Sequence, residues 1–153
     1  MEPTGEEWEQ LERLTKFLGT FFEATVKLSC SYSPTAFLLL GQLYQISKVY
    51  RDLEQAEIHD KTLTPIVEAM KIKFLKYWED VPLLAIIASV LNPAYKKYYT
   101  VRMVQAYKDN LHLATTGVEA YVDAKFKEMY NIYNSRIGGN QNPSSSRAGP
   151  RYE

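Results

Sequence analysis

The chain has 153 residues, 46% of them hydrophobic and 24% charged, room for one compact domain that buries roughly 70% of its unfolded surface. Eighteen basic residues balance eighteen acidic ones, so overall charge favours neither nucleic acid nor an anionic membrane. The longest apolar run, Val81 to Leu91, is interrupted by Pro82 and falls short of the ~20 residues of a membrane span, so no membrane partner is expected.

In chain order, the acidic amino terminus lacks the basic-then-apolar pattern of a signal peptide, which points to cytosol or nucleus. Thr4-Gly5-Glu6-Glu7 has the form of a capping box, in which hydroxyl and carboxylate each satisfy an open amide of the first turn. Trp8, Leu11, Leu14, Leu18, Phe21, Phe22, Thr25 and Leu28 then recur at helical steps and predict one inward face, with Trp8 as a core anchor. Cys30, the single cysteine, excludes an intrachain disulfide; it sits in an apolar and small-residue stretch, which predicts a buried thiol in a reducing compartment. Ser33-Pro34 predicts a helix start with serine as N-cap. The second helix then carries Phe37, Leu40, Leu43, Tyr44, Ile46, Val49, Tyr50 and Leu53 inward.

A third helix begins near Thr62 or Thr64-Pro65 and turns Ile66, Val67, Met70, Phe74, Leu75 and Trp78 to the core. Pro82 opens a short fourth helix, Leu83 to Leu91, which is apolar all round and so expected to be buried on every side. Asn92-Pro93 ends it. Tyr95 to Asn110 reads as a fifth helix with Tyr98, Tyr99, Met103, Val104 and Tyr107 inward. Thr116-Gly117-Val118-Glu119 repeats the capping-box form and launches a sixth, with Val118, Tyr121, Val122, Phe126, Met129 and Ile132 or Tyr133 as its core face. From Arg136 the chain is polar and Gly/Ser-rich and cannot bury enough apolar surface to offset its ordering entropy. No segment sustains period-two alternation. The prediction is all-α: an irregular bundle of five or six helices over 1–135, followed by a disordered polar tail over 136–153.

Catalytic chemistry finds little to work with. His59 and His112 have no second histidine or cysteine at metal spacing, where zinc needs three or four ligands. The carboxylate pairs Glu6/Glu9 and Glu54/Glu57 are three residues apart, and Glu79 adjoins Asp80; such pairs mark solvated helix faces. Gly138-Gly139 has no strand before it and no helix after it, unlike a phosphate loop. No metal and no cofactor are expected, and the chain is not expected to be an enzyme.

The neutral total conceals a gradient. Residues 1–25 hold six acidic against two basic side chains, a net of −4, whereas residues 61–108 hold eight basic against three acidic, a net of +5. Lys71, Lys73, Lys76, Lys96, Lys97 and Arg102 belong to that middle section and are interleaved with tyrosines. Such a pattern suits phosphate contact and stacking on bases, and equally suits plain solvated helix faces with the tyrosines turned inward.

Several segments together resemble one family. Leu18 to Ser29, with Phe22, Thr25, Leu28 and Ser29, and then Pro34-Thr35, is similar to the "F…AT..LS….PT" stretch of hAT-type transposases of the Daysleeper and Ricesleeper kind. Met70, Lys73, Phe74 and Lys76-Tyr77-Trp78 continue the resemblance. Ala88 to Lys96 stands where the family reads "A..LDPR.K", and Tyr130 and Tyr133 resemble its closing "LY..Y". The likeness covers about residues 8–134.

These transposases fold an RNase-H-like core around three separated carboxylates and interrupt it with a large helical insertion. This chain is similar to the helical region after the second carboxylate. The family's BED zinc finger, its catalytic positions and its dimerisation segment have no counterpart in the matched motifs. The resemblance therefore implies a non-catalytic helical fragment of a domesticated transposase, nuclear, with DNA bound through phosphates and without sequence preference. The six basic residues above are its candidate contacts. The rival reading is a module whose exposed apolar surface takes a protein partner or a second copy. The family's Asp-Pro-Arg is here Asn92-Pro93-Ala94, so no role passes to that motif.

Overall fold

The computed structural model describes residues 4–30, 32, 34–56 and 63–138. Among them are six α-helices and no strand: α1 (Gly5–Leu28), α2 (Ala36–Gln55), α3 (Leu63–Trp78), α4 (Leu83–Leu91), α5 (Lys96–Asn110) and α6 (Val118–Gly138). The all-helical expectation holds. His59, Glu57, Ser33 and the tail from residue 139 on lie outside the described residues. Arg136 and Ile137, read from sequence as tail, are instead the last turn of α6.

The first capping box forms as expected: the Glu7 amide donates to Thr4 Oγ1, and the Glu7 carboxylate accepts from the Thr4 amide at 2.7 Å. The second does not. Gly117, at φ +74, immediately precedes α6, and the Glu119 carboxylate pairs with Lys97 at 3.3 Å rather than folding back on Thr116. The α2 start also differs. Thr35 occupies the cap position, and its hydroxyl donates to the Leu28 carbonyl at 3.1 Å, closing the end of α1 rather than the start of α2.

Helix α2 sits at the centre, packed against α1, α4 and α5, while α6 leans on α4 and α5. Leu40, Leu43, Ile46 and Tyr50 of α2 meet Val81, Ala85, Ile86, Val104, Tyr107 and Leu111. On its other side, Phe17 and Phe21 of α1 join Tyr50 and Phe74 in an aromatic cluster; Phe17 is edge-on to Tyr50 at 5.8 Å, and Phe74 is 5.8 Å from Tyr50. A buried polar strut ties α2 to α5: Asn110 donates to Ser47 Oγ at 3.0 Å, and Arg51 donates to Asn110 Oδ1 at 3.0 Å. The Tyr107 hydroxyl, itself buried, donates to the Trp78 carbonyl and fastens the end of α3 to α5.

Several inward assignments are corrected by the packing. On α1 the buried stripe is Phe17, Phe21 and Ala24, turned from the predicted one, and Trp8 is 57% exposed and Phe22 70%. Helix α1 has apolar residues over more than half its circumference, but α2 and α3 cover only part of that arc. Trp78 does pack on the core. Cys30, expected to be buried, is exposed. Leu84 and Leu91 of α4 face outward, so that helix is buried on most of its circumference rather than all of it. On α6, Val118 and Val122 are buried, but every residue from Phe126 to Ile137 is exposed.

Candidate nucleic-acid interface

The six predicted cations do not share one face. Lys71, Lys73 and Lys76 ride on α3, which packs on α1, whereas Lys96, Lys97 and Arg102 ride on α5, which packs on α2, α4 and α6.

Two of the six are already engaged. Lys71 pairs with Glu54 of α2, and His112 Nε2 lies 2.8 Å from the same carboxylate, so Glu54 ties three segments together. Partial burial pushes the Glu54 carboxyl up, yet the hydrogen bonds from Lys71 and His112 outweigh it and hold it below its ordinary value. Lys97 reaches α6, with its ammonium 2.7 Å from Asp123 and 3.3 Å from Glu119. The Asp123 contact in particular raises the Lys97 pKa.

The other four, Lys73, Lys76, Lys96 and Arg102, are exposed, and none is paired with a carboxylate among the described residues. Lys76 lies 5.7 Å from the ring of its neighbour Tyr77. The Arg102 guanidinium lies 5.6 Å from the centroid of the Tyr98 ring and also donates to its hydroxyl.

The aromatic side of α5 faces outward. Tyr98 and Tyr99 were expected inward; they are 74% and 44% exposed. The buried line is Thr100, Val104 and Tyr107, continued by Leu111, at steps of four and three. Tyr98 is half a turn away from that line. The signal was present in the spacing, since Thr100 completes a helical stripe that Tyr98 and Tyr99 cannot join. Tyr99 stacks on Tyr95 with centroids 4.8 Å apart and planes 21° apart. A groove of about 540 Å³ between α5 and the start of α6 is lined by Lys97, Tyr98, Val101, Arg102, Gln105 and Glu119.

The turn before α5 explains the altered motif. Asn92 Oδ1 accepts from the Ala94 amide at 3.0 Å, a side-chain turn that an aspartate oxygen makes equally well. Asparagine thus keeps the turn and drops the charge. The backbone next adopts a left-handed conformation at Lys96, φ +56.

Other polar clusters serve structure. Tyr121 donates to Asp80, Lys125 Nζ lies 3.2 Å from the same carboxylate, and Lys108 lies 4.5 Å from the Tyr121 ring centroid, together fastening α6 to the α3–α4 turn. Among the described residues no group of three or more His, Cys, Asp or Glu side chains could hold a metal ion. No described helix is long and apolar enough to cross a membrane.

Comparison with known proteins agrees with the motifs. Over 95 residues the chain is 33% identical to the zinc finger BED domain-containing protein DAYSLEEPER of Arabidopsis thaliana, covering 61% of this chain and 13% of that one. It is 24% identical over 162 residues to RICESLEEPER 1 of Oryza sativa subsp. japonica, covering 95% of this chain and 21% of that one. RICESLEEPER 2 of the same organism is 26% identical over 137 residues, covering 86% and 18%. The chain thus spans about a fifth or less of the length of these curated relatives. No solved structure matches. The family model described as hAT-like transposase, RNase-H fold, matches residues 40–133, which run from the second turn of α2 to the exposed part of α6, and the chain belongs to that family.

Proposed function

We propose that this chain is a non-catalytic helical unit of an hAT transposase-like protein that associates with DNA through its phosphates, without reading sequence, and that it works in the nucleus. One observation carries this reading: Lys73, Lys76, Lys96 and Arg102 are exposed and have no carboxylate partner among the described residues. Lys71 and Lys97 contribute less, because Glu54, Glu119 and Asp123 already offset their charge. The family is one of transposases, and the relatives above are named for a BED zinc finger, which supports a setting on DNA. Among the described residues no three acidic, histidine or cysteine side chains gather as a metal-dependent phosphoryl-transfer site requires.

The test is a salt titration of DNA binding. Phosphate contacts release about 0.9 counterion each, so four contacts predict a slope of roughly −3.5 in log K against log salt. Alanine at all four positions should flatten that slope. Binding that persists at high salt, or no binding at low salt, rejects the reading.

A second reading, a protein-interaction or self-association module, is favoured by the apolar surface. Trp8, Leu11, Leu18 and Phe22 line one side of α1, and Phe126, Tyr130, Tyr133 and Ile137 line the free half of α6. Exposed apolar stripes of this length mark contact surfaces. Sedimentation of the chain at rising concentration separates the two: a concentration-dependent mass that Trp8→Ser with Phe22→Ser abolishes supports association, and a constant monomer mass rejects self-association.

A further inference from the structure

Resting on the DNA reading above, we infer that the outer face of α5 is a stacking platform for unpaired bases, so that the chain prefers single-stranded DNA to duplex. Charge alone does not make this face a duplex site. Duplex DNA carries one negative charge per ~1.7 Å of axis, and strong binding to it needs many cations in a row. Here Lys97 is offset by Glu119 and Asp123, Asp109 is exposed one turn beyond Gln105, and Lys96 and Arg102 have no carboxylate partner among the described residues.

What this face has in abundance is open aromatic surface. Tyr98 is 74% exposed, although it stands on a well-packed helix whose opposite side is buried. Its ring is held in place by Arg102, which lies over it and bonds its hydroxyl. Beside it, Tyr99, the next residue, stacks on Tyr95 just before the helix, with Tyr99 the more exposed member. The adjoining groove has the volume of a small-ligand cleft, and its lining combines the Tyr98 ring and Val101 with the polar side chains of Lys97, Arg102, Gln105 and Glu119.

A base buried in a duplex has both faces covered by its neighbours and cannot use a tyrosine ring. A base in a single strand has a free face, and each base stacked on an aromatic side chain strengthens binding regardless of its identity. The single backbone of such a strand then meets a charge density that Lys96 and Arg102 can match. The occupant is therefore a short run of unpaired nucleotides, with a base on Tyr98 and its phosphate toward Arg102.

The experiment uses the 153-residue chain and fluorescence anisotropy with a labelled dT15 strand and a labelled 15-base-pair duplex at low salt. The single strand is expected to bind more tightly. Tyr98→Ala should weaken strand binding roughly 5- to 100-fold, the effect of losing one stacked base, and change duplex binding less than about twofold. Tyr98→Phe, which keeps the ring and loses only the Arg102 hydrogen bond, should retain the preference. Because Tyr98 is exposed, unchanged helicity by circular dichroism confirms that each variant is folded. Equal affinity for strand and duplex, or equal loss for both on Tyr98→Ala, overturns the stacking site while leaving phosphate binding intact. Absence of binding to either probe overturns both.

Discussion

The α2–α4–α5 centre and the two outlying helices, α1 and α6, are written in the same helical period, yet they treat large side chains differently. In the centre, Leu40, Tyr50, Ile86, Val104 and Tyr107 are sealed from water by facing helices. On α1 and α6, side chains of equal size such as Trp8, Phe22, Tyr130 and Tyr133 lie open. Periodicity decides which residues share a face; only a neighbouring element decides whether that face is covered. The difference locates the stability of the molecule in its centre and its capacity for contact at its margins.

The sharpest way to break this division is a pair of truncations. Leu40→Ala should cost about 2–5 kcal/mol in denaturant unfolding, whereas Phe22→Ala should cost within about 0.5 kcal/mol. Similar losses at the two sites would erase the distinction. Next in size, Asn110→Ala should cost about 1–3 kcal/mol, since it empties a buried polar site and removes the hydrogen bonds that join α5 to Ser47 and Arg51 of α2, although Ser47 keeps its bond to the Tyr44 carbonyl and Arg51 its pair with Asp52.

Tyr50→Phe should go the other way. Its hydroxyl is buried without a hydrogen-bond partner among the described residues, and burial pushes its pKa up to about 12. Removing that oxygen should leave stability unchanged or raise it by up to about 1 kcal/mol, read as the shift in denaturant midpoint. A loss of stability would show that the hydroxyl has a use the packing does not reveal.

The smallest effect concerns the rim. The folded Glu54 carboxyl sits below its ordinary value of 4.5, so the stability it contributes is whole above about that pH and is lost as pH falls through the lowered folded value. Glu54→Gln should therefore flatten the decline of stability between about pH 5 and 3 by less than about 1 kcal/mol, because the contact is open to solvent. A decline as steep as that of the unaltered chain would remove Glu54 from the account.

Much of this architecture was legible beforehand. Thr4 and Glu7 marked the first helix start, Pro82 and Asn92-Pro93 bracketed α4, and the α2 and α3 stripes pointed where they do. What could not be read were faces whose coverage depends on distant elements. Trp8 has the helical spacing of a core anchor within an apolar stripe, but among the described residues the first turns of α1 stay open and it is 57% exposed. Of the five inward positions that the sequence predicts on α5, Val104 and Tyr107 hold the buried line together with Thr100, while Tyr98 and Tyr99 lie open. Lys71 and Lys97 looked like free cations because Glu54, Glu119 and Asp123 approach them only through the fold.

The free half of α6 has a mechanical consequence. From Phe126 to Gly138 the helix is about 20 Å long at 1.5 Å per residue, and among the described residues its attachment to the body lies in the turns around Val118 and Val122. A stiff rod clamped at one end amplifies movement. A rotation of ten degrees at that clamp would carry Ile137 through roughly 3.5 Å, so repacking around Val122, Tyr121 or Lys125 is felt as a change of reach at the tip.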